Sequence, residues 1–123
     1  MDTQSSSHQS KYSELSLPHS NNSSSGENFN DPGKVIIYFH ANAEDLGKCL
    51  SLLTRLREIL GARIIAMEYP GYGLHGYEAK CSQQLQKDAL TVYDFVNQVM
   101  KVKEEDIFLL GRSIGSSVAT YVA

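Results

Sequence analysis

Three short apolar segments, separated by two longer segments of helical periodicity, constrain the fold of this chain more than any other feature. The first, residues 34–40, reads KVIIYFH, a pattern typical of a strand that is covered on both faces of a parallel sheet. The other two are residues 62–69 and 106–110. Connections as long as those between them suit crossovers between parallel strands. The order predicts βαβαβα, an α/β fold with helices on both faces of a parallel sheet.

The two intervening segments carry apolar residues at spacings of three and four, which place them on one face of a helix. The first predicted helix spans about residues 44–60, with the stripe Leu46, Leu50, Leu53, Leu56 and Leu60. Gly61 follows in the position where glycine commonly ends a helix. The second predicted helix spans about residues 79–102, with the stripe Leu85, Ala89, Val92, Val96 and Val99.

The sequence G-R-S-I-G at residues 111–115 lies between the third apolar segment and a stretch that can open a helix. In that context G-x-S-x-G indicates a nucleophile elbow, a sharp turn that lifts the Ser113 hydroxyl clear of the sheet. Gly111 and Gly115 would allow strand and helix to pass close together, and the turn would aim the Ile114 N–H at an oxyanion. A tightly packed turn without chemistry is the alternative, which the flanking strand and helix disfavour.

The loop after the first strand, F-H-A-N-A-E-D, occupies the position that supplies a second oxyanion donor in hydrolases of this design. Asn42 is the predicted donor, through its backbone N–H. His40 precedes the serine in the chain, so we expect a structural histidine that ties the loop by hydrogen bonds. Glu44 and Asp45 are expected to act electrostatically on the helix N-terminus.

The loop after the second strand, E-Y-P-G-Y-G, carries Tyr69 and Tyr72, which either line a pocket above Ser113 or simply pack. Residues 71–76 also match G-x-G-x-x-G. A dinucleotide site would need a helix that begins inside the motif and an acidic residue about 20 positions further on. Neither condition is met, and the four histidines show no metal-ligand spacing. We therefore expect neither a cofactor nor a metal.

Composition and charge limit the kinds of partner and the cellular locations that we expect. The net charge of −3 comes without a basic stripe, which argues against nucleic acid as a partner. Residues 1–32 hold ten serines and four asparagines and are predicted to be largely disordered, with a weak strand at 12–17 as the alternative. Cys49 and Cys81 are expected to be free thiols, although a disulfide between them stays open. Without an apolar stretch near 18 residues or a signal-peptide core, we expect a cytoplasmic protein without a transmembrane segment.

Taken in order, the motifs FHANAEDLG, EYPGYG and GRSIGSS resemble the alpha/beta-hydrolase superfamily. They look most like the branch of serine hydrolases related to depalmitoylases and serine-aminopeptidase-like hydrolases, and the resemblance covers about residues 33–123. It implies a three-layer αβα fold in which the three strands are strands three to five of eight, in spatial order 4-3-5. It also implies a Ser113 nucleophile, an oxyanion hole formed by the N–H groups of Asn42 and Ile114, and hydrolysis of an acyl ester, thioester or amide in a small substrate or acylated protein.

The chain departs from the family pattern at the oxyanion loop and after the serine. The family usually reads His-Gly-Asn where this chain has Ala41, and no acid or histidine follows Ser113, although the catalytic acid and base normally come later in the chain. The first hypothesis is the N-terminal half of a serine hydrolase. The second is a non-catalytic α/β binding module that engages a partner through an open sheet edge. In the third, another chain supplies the acid and the base.

Overall fold

A computed structural model describes residues 33–76 and 82–123, which form a three-stranded parallel sheet with helices on both faces. The strands are β1 (Val35–Phe39), β2 (Arg63–Met67) and β3 (Ile107–Gly111), and the helices are α1 (Leu46–Leu60), α2 (Ser82–Asp94) and α3 (Ile114–Val122). The spatial order is β2-β1-β3. The predicted α/β class, the parallel sheet and the 4-3-5 strand order are confirmed.

The central strand β1 explains the uninterrupted apolar run. It pairs with β2 on one side and β3 on the other, so that Val35 lies beside Arg63 and Ile107. All five residues of β1 are buried. A strand with neighbours on both edges and helices on both faces has no exposed side, so it needs apolar residues at every position.

The helices cover both faces of the sheet, with α2 and α3 on one face and α1 on the other. On one face, Ile37 and Phe39 belong to a core that includes Val96 from the turn that follows α2 and Val118 from α3. On the other face, α1 brings Cys49 against Tyr38. Right-handed crossovers produce this arrangement when the chain runs outward from β1 to β2 and then returns past β1 to β3.

The predicted stripe of α1 was wrong at two positions. Leu50 is 63% exposed and Leu60 is 54% exposed, whereas Cys49 is buried. Cys49 and Leu50 each lie three or four residues from Leu46 and from Leu53, so the spacing allows either one, and the helix is rotated so that Cys49 faces Tyr38. Leu60 is the last residue of the helix. The terminating glycine is confirmed: Gly61 has φ 59°.

The second helix also departs from its prediction. After Asp94 the chain continues as a π-helical turn, Phe95–Val99, closed by a 3.0 Å hydrogen bond from Met100 N–H to Phe95 O. The wider turn rotates the residues that follow it. Val99 is therefore 65% exposed, although the 3.6-residue pattern placed it in the core.

Several expectations fall outside the described residues. They include the disordered segment 1–32, the start of the second helix at residues 79–81, and Cys81. No helix within residues 33–76 and 82–123 is long and apolar enough to cross a membrane. The same residues contain no cluster of three His, Cys, Asp or Glu side chains that could hold a metal ion.

Candidate functional site

The candidate site lies where the three parallel strands end. Phe39 pairs with Met67 and with Gly111, so the residues that follow each strand meet at one edge of the sheet. The backbone joins two of these loops directly, because Arg112 N–H donates to Phe39 O at 3.0 Å. The motifs of all three loops are therefore neighbours, although 28 and 68 residues separate their interacting members.

Ser113 stands at the junction between β3 and α3 in an unusual backbone conformation. Its φ of 55° and ψ of −120° lie outside the regions that non-glycine residues favour. Two hydrogen bonds between residues three positions apart hold the turn. Gly115 N–H donates to Arg112 O at 3.0 Å, and Ser116 N–H donates to Ser113 O at 2.9 Å. The Ser113 side chain makes no capping hydrogen bond, and the residue is exposed. Such strain in an exposed polar residue is characteristic of functional sites.

The two glycines of the motif are needed for the close approach of backbone segments. A Cβ atom on Gly111 would lie 2.2 Å from Gly115 O, and one on Gly115 would lie 2.1 Å from Phe39 O. Neither backbone oxygen can yield as a flexible side chain would. The first turn of α3 therefore rests directly on the end of β1, beside the loop that begins at His40.

The backbone N–H groups of Asn42 and Ile114 are among those at this edge that find no acceptor within the described residues. The hydrogen bonds of the described residues include none that the N–H of Asn42 or of Ile114 donates. Ile114 is the first residue of α3, so its N–H lies at the positive end of the helix dipole. Unpaired donors of this kind can stabilise an anionic oxygen.

His40 is fully buried, and both of its ring nitrogens are occupied. Nδ1 lies 2.9 Å from Ala41 O and Nε2 lies 2.8 Å from Glu68 Oε1. The other Glu68 oxygen accepts the Leu46 N–H at 3.0 Å, so the Glu68 carboxylate joins the His40 ring to the first residue of α1. The predicted structural role of His40 is confirmed, and the ring has no free nitrogen with which to act as a base.

The two tyrosines of the second loop contact the loop after β1 from one side. Tyr69 stacks on the His40 ring at 3.9 Å, and its hydroxyl donates to His40 O at 2.8 Å. Tyr69 is only 1% exposed, and burial raises its pKa well above the ordinary tyrosine value. Tyr72 is partly exposed, and its hydroxyl donates to Asn42 Oδ1 at 2.5 Å.

Glu44 and Glu68 have roles that the sequence reading missed. Asp45 does cap α1, since Oδ1 accepts the Lys48 N–H at 2.9 Å. Glu44 instead turns back: Oε2 accepts the Ala41 N–H at 3.1 Å and Oε1 pairs with the Arg112 guanidinium. Glu44 comes three residues after Ala41, which is the spacing of a capping box. That spacing could have predicted the hydrogen bond between them.

The signal for Glu68 was its position. It follows β2 at the level at which His40 follows β1, because the strand register pairs Phe39 with Met67. Gly73 makes room for it, since a Cβ atom there would lie 2.4 Å from Glu68 Oε2. Parallel strands of known register therefore bring the two side chains together.

Comparison with known proteins gives distant similarities to alpha/beta hydrolases. A putative alpha/beta hydrolase of Acanthamoeba polyphaga mimivirus is 30% identical over 87 residues, 71% of this chain and 33% of the viral protein. An uncharacterized protein of the same virus is 30% identical over 95 residues, 76% of this chain and 32% of that protein. The alpha/beta hydrolase domain-containing protein aho-3 of Caenorhabditis elegans is 30% identical over 82 residues, 67% of this chain and 24% of the nematode protein.

These similarities support the alpha/beta-hydrolase superfamily and no narrower branch. The chain spans about one third of the length of the two viral relatives. No family model matches the chain. No solved structure matches it either.

Proposed function

We propose that residues 33–123 are part of an alpha/beta-hydrolase domain whose nucleophile is Ser113. The observation that carries the proposal is the strained φ of 55° at Ser113, an exposed serine on a strand-to-helix turn. In the proposed site, the N–H groups of Asn42 and Ile114 form the oxyanion hole. The strain supports this assignment because a small turn with only a packing role has no need of it.

The reaction is acyl transfer to Ser113 Oγ followed by hydrolysis. The hydroxyl oxygen attacks the acyl carbon while a general base takes its proton, and the carbonyl electron pair moves onto the carbonyl oxygen. The two N–H groups stabilise that oxyanion. Electrostatic stabilisation of this kind usually contributes most to lowering the activation barrier. The intermediate collapses, the protonated alcohol, thiol or amine departs, and water then cleaves the acyl-enzyme by the same steps.

The general base and its acidic partner must come from polypeptide other than the described residues. His40 is committed to Glu68, and residues 114–123 contain no Asp, Glu or His. In this superfamily the acid and the histidine follow the serine in the chain. The proposal therefore needs both groups from further chain or from a partner, and the chain spans only 33% of its viral hydrolase relative.

Acyl esters, thioesters and amides are the proposed substrate classes, and thioesters of acylated proteins, as in depalmitoylases, are the finer proposal. Comparing hydrolysis of matched oxygen-ester and thioester substrates by the natural protein distinguishes them. A cytoplasmic location belongs to the same proposal, and fractionation of cells tests it.

Covalent labelling tests the nucleophile. The natural protein is treated with a fluorophosphonate probe and the labelled peptide is mapped. We expect one adduct, on Ser113, which Ser113→Ala abolishes. Ser117→Ala is the matched control, because Ser117 is an exposed serine on α3, the helix that follows Ser113, and labelling of Ser113 should persist in that variant. A natural protein that takes up no probe, or takes it up on another serine, contradicts the proposal.

A second candidate function is a binding module that lacks catalysis. It is favoured by the apolar outer surface of β3, where Phe108 is 47% exposed and Leu110 is 37% exposed. As an outer strand of the described sheet, β3 could pair with a strand of a partner protein. This candidate predicts no labelling of Ser113 and a partner whose binding is weakened by Phe108→Ser, whereas the hydrolase proposal predicts labelling.

A further inference from the structure

We infer that Glu44 is a positioning residue that couples the oxyanion loop to the nucleophile turn, an inference that rests on the proposed function of Ser113. One carboxylate contacts both loops. Oε2 accepts the Ala41 N–H at 3.1 Å, and Oε1 pairs with the guanidinium of Arg112. Ala41 comes directly before Asn42, and Arg112 comes directly before Ser113.

The bond to Ala41 is separate from the capping of α1. Asp45 already fills the capping position, so Glu44 is not needed there. The Glu44 side chain is 21% exposed and Arg112 is 60% exposed. An exposed ion pair of this kind adds little to stability, so its effect should be sought in loop geometry.

Both loops contain a strained residue that the bridge helps to hold. Ala43 has φ 60° and Ser113 has φ 55°, a region that non-glycine residues rarely adopt. Each loop can relax by leaving that region unless neighbouring contacts prevent it. Glu44 ties the residues next to Asn42 and Ser113 to a single rigid group, which fixes the two loops relative to each other.

This coupling matters because an oxyanion hole acts through two donors at once. The donors must lie about 2.7–3.1 Å from the position that the oxyanion will occupy. Asn42 and Ile114 belong to different loops, so their N–H groups converge only if those loops keep a common orientation. The Glu44–Arg112 pair joins the loops by side chains, in addition to the backbone bond from Arg112 to Phe39.

Backbone amide NMR of the natural protein tests the coupling without any need for activity. Glu44→Gln keeps an oxygen for the Ala41 N–H and removes the charge that holds Arg112. We expect it to shift amide signals in both loops, residues 41–43 and 112–115. Asp45→Asn is the matched control, since it removes a neighbouring charge but preserves a capping oxygen, and its shifts should stay within the first turn of α1.

A double-mutant cycle sharpens the result. Arg112→Gln should reproduce the shifts at residues 41–43, and Glu44→Gln with Arg112→Gln should cause no more change than either alone. Glu44→Gln shifts that leave residues 112–115 unmoved would overturn the inference, as would additive effects of the two substitutions.

Labelling rates distinguish failure of the inference from failure of the proposed function. In the natural protein, Glu44→Gln and Arg112→Gln should each slow fluorophosphonate labelling on the order of 10-fold, less than the roughly 10²-fold loss of an oxyanion donor. Arg112→Lys, which keeps the charge, should restore part of the rate. Equal rates in wild type and Glu44→Gln reject the inference alone. A wild-type protein that never labels, with NMR coupling present, rejects the hydrolase function alone.

Discussion

Gly115 rests on the carbonyl group of Phe39, with only 2.1 Å between that oxygen and the position a Cβ atom of residue 115 would take. The contact joins the first turn of α3 to the end of β1. Because β1 is paired on both sides, it cannot move away without breaking the sheet. The turn that presents Ser113 is therefore packed against the central strand of the described sheet.

Gly115→Ala should therefore destabilise the protein by about 3 kcal/mol or more, because the new methyl group meets backbone atoms in a packed region. Urea denaturation followed by circular dichroism measures the change. Gly76→Ala is the control: its Cβ atom would meet nothing within 4 Å, and we expect a change within about 0.5 kcal/mol. Equal stabilities of the two variants would show that α3 can lift from β1.

Glu68→Ala should lower the free energy of unfolding by about 2–4 kcal/mol, because it leaves the buried His40 ring and the Leu46 N–H without an acceptor. Glu58→Ala, at an exposed position of α1, is the matched control and should be nearly neutral. Urea midpoints give both values. A Glu68→Ala variant as stable as the control would mean that His40 finds another partner.

Tyr72→Phe should slow covalent labelling of Ser113 in the natural protein on the order of 10-fold, with little loss of stability. The substitution removes the hydroxyl that holds the Asn42 side chain, and a small misplacement of a positioning group can slow a reaction considerably. Tyr121→Phe is the control, since Tyr121 is 50% exposed on α3. Equal labelling rates in the two variants would show that the Tyr72 hydroxyl does not help to position Asn42 for the reaction.

Alkaline pH should destabilise the fold. Burial raises the pKa of Cys49, and the nearby Glu44 carboxylate raises it further. Burial likewise raises the pKa values of Tyr38 and Tyr69. The unfolded chain releases these protons at ordinary pKa values, about 8.5 for cysteine and about 10 for tyrosine, while the native state retains them. Fewer protons on the unfolded state mean that stability falls as pH rises.

Urea midpoints between pH 7 and pH 11 measure that loss, which should begin near pH 8.5 and steepen near pH 10. Tyr38→Phe should flatten the curve. It should also raise stability by about 1 kcal/mol at pH 7, because the Tyr38 hydroxyl is buried without a hydrogen-bond partner among the described residues. A curve that is flat for the wild type, or unchanged by the substitution, would contradict the burial of these groups.

The elements that could be predicted are those that a short, local sequence pattern identifies. The continuous apolar run of β1 indicated a strand that is covered on both faces, and Gly61 marked the end of α1. It was harder to predict from the sequence which of two neighbouring residues is buried. Cys49 and Leu50 both have the spacing of three or four residues from Leu46 and Leu53 that the stripe requires, and the position of Tyr38 on the sheet decides which one is buried. Val99 left the core because of a π-helical turn that the 3.6-residue period does not contain.

At the candidate site, sequence motifs pointed to the three loops but not to the contacts among them. The pairing of His40 with Glu68 depends on strand register, and that of Glu44 with Arg112 spans 68 residues. Local patterns carry no information on such distant pairs. The sequence indicated the groups proposed for the chemistry and the structural role of His40, whereas the contacts of Glu68, Glu44 and Arg112 became visible only in three dimensions.

The most direct test of the account is a structure of the phosphonylated natural protein. We predict a bond between the probe phosphorus and Ser113 Oγ, with the phosphoryl oxygen about 2.7–3.1 Å from the N–H nitrogens of both Asn42 and Ile114. An adduct on another residue, or a phosphoryl oxygen that points into solvent away from both N–H groups, would contradict the proposed nucleophile and its oxyanion hole.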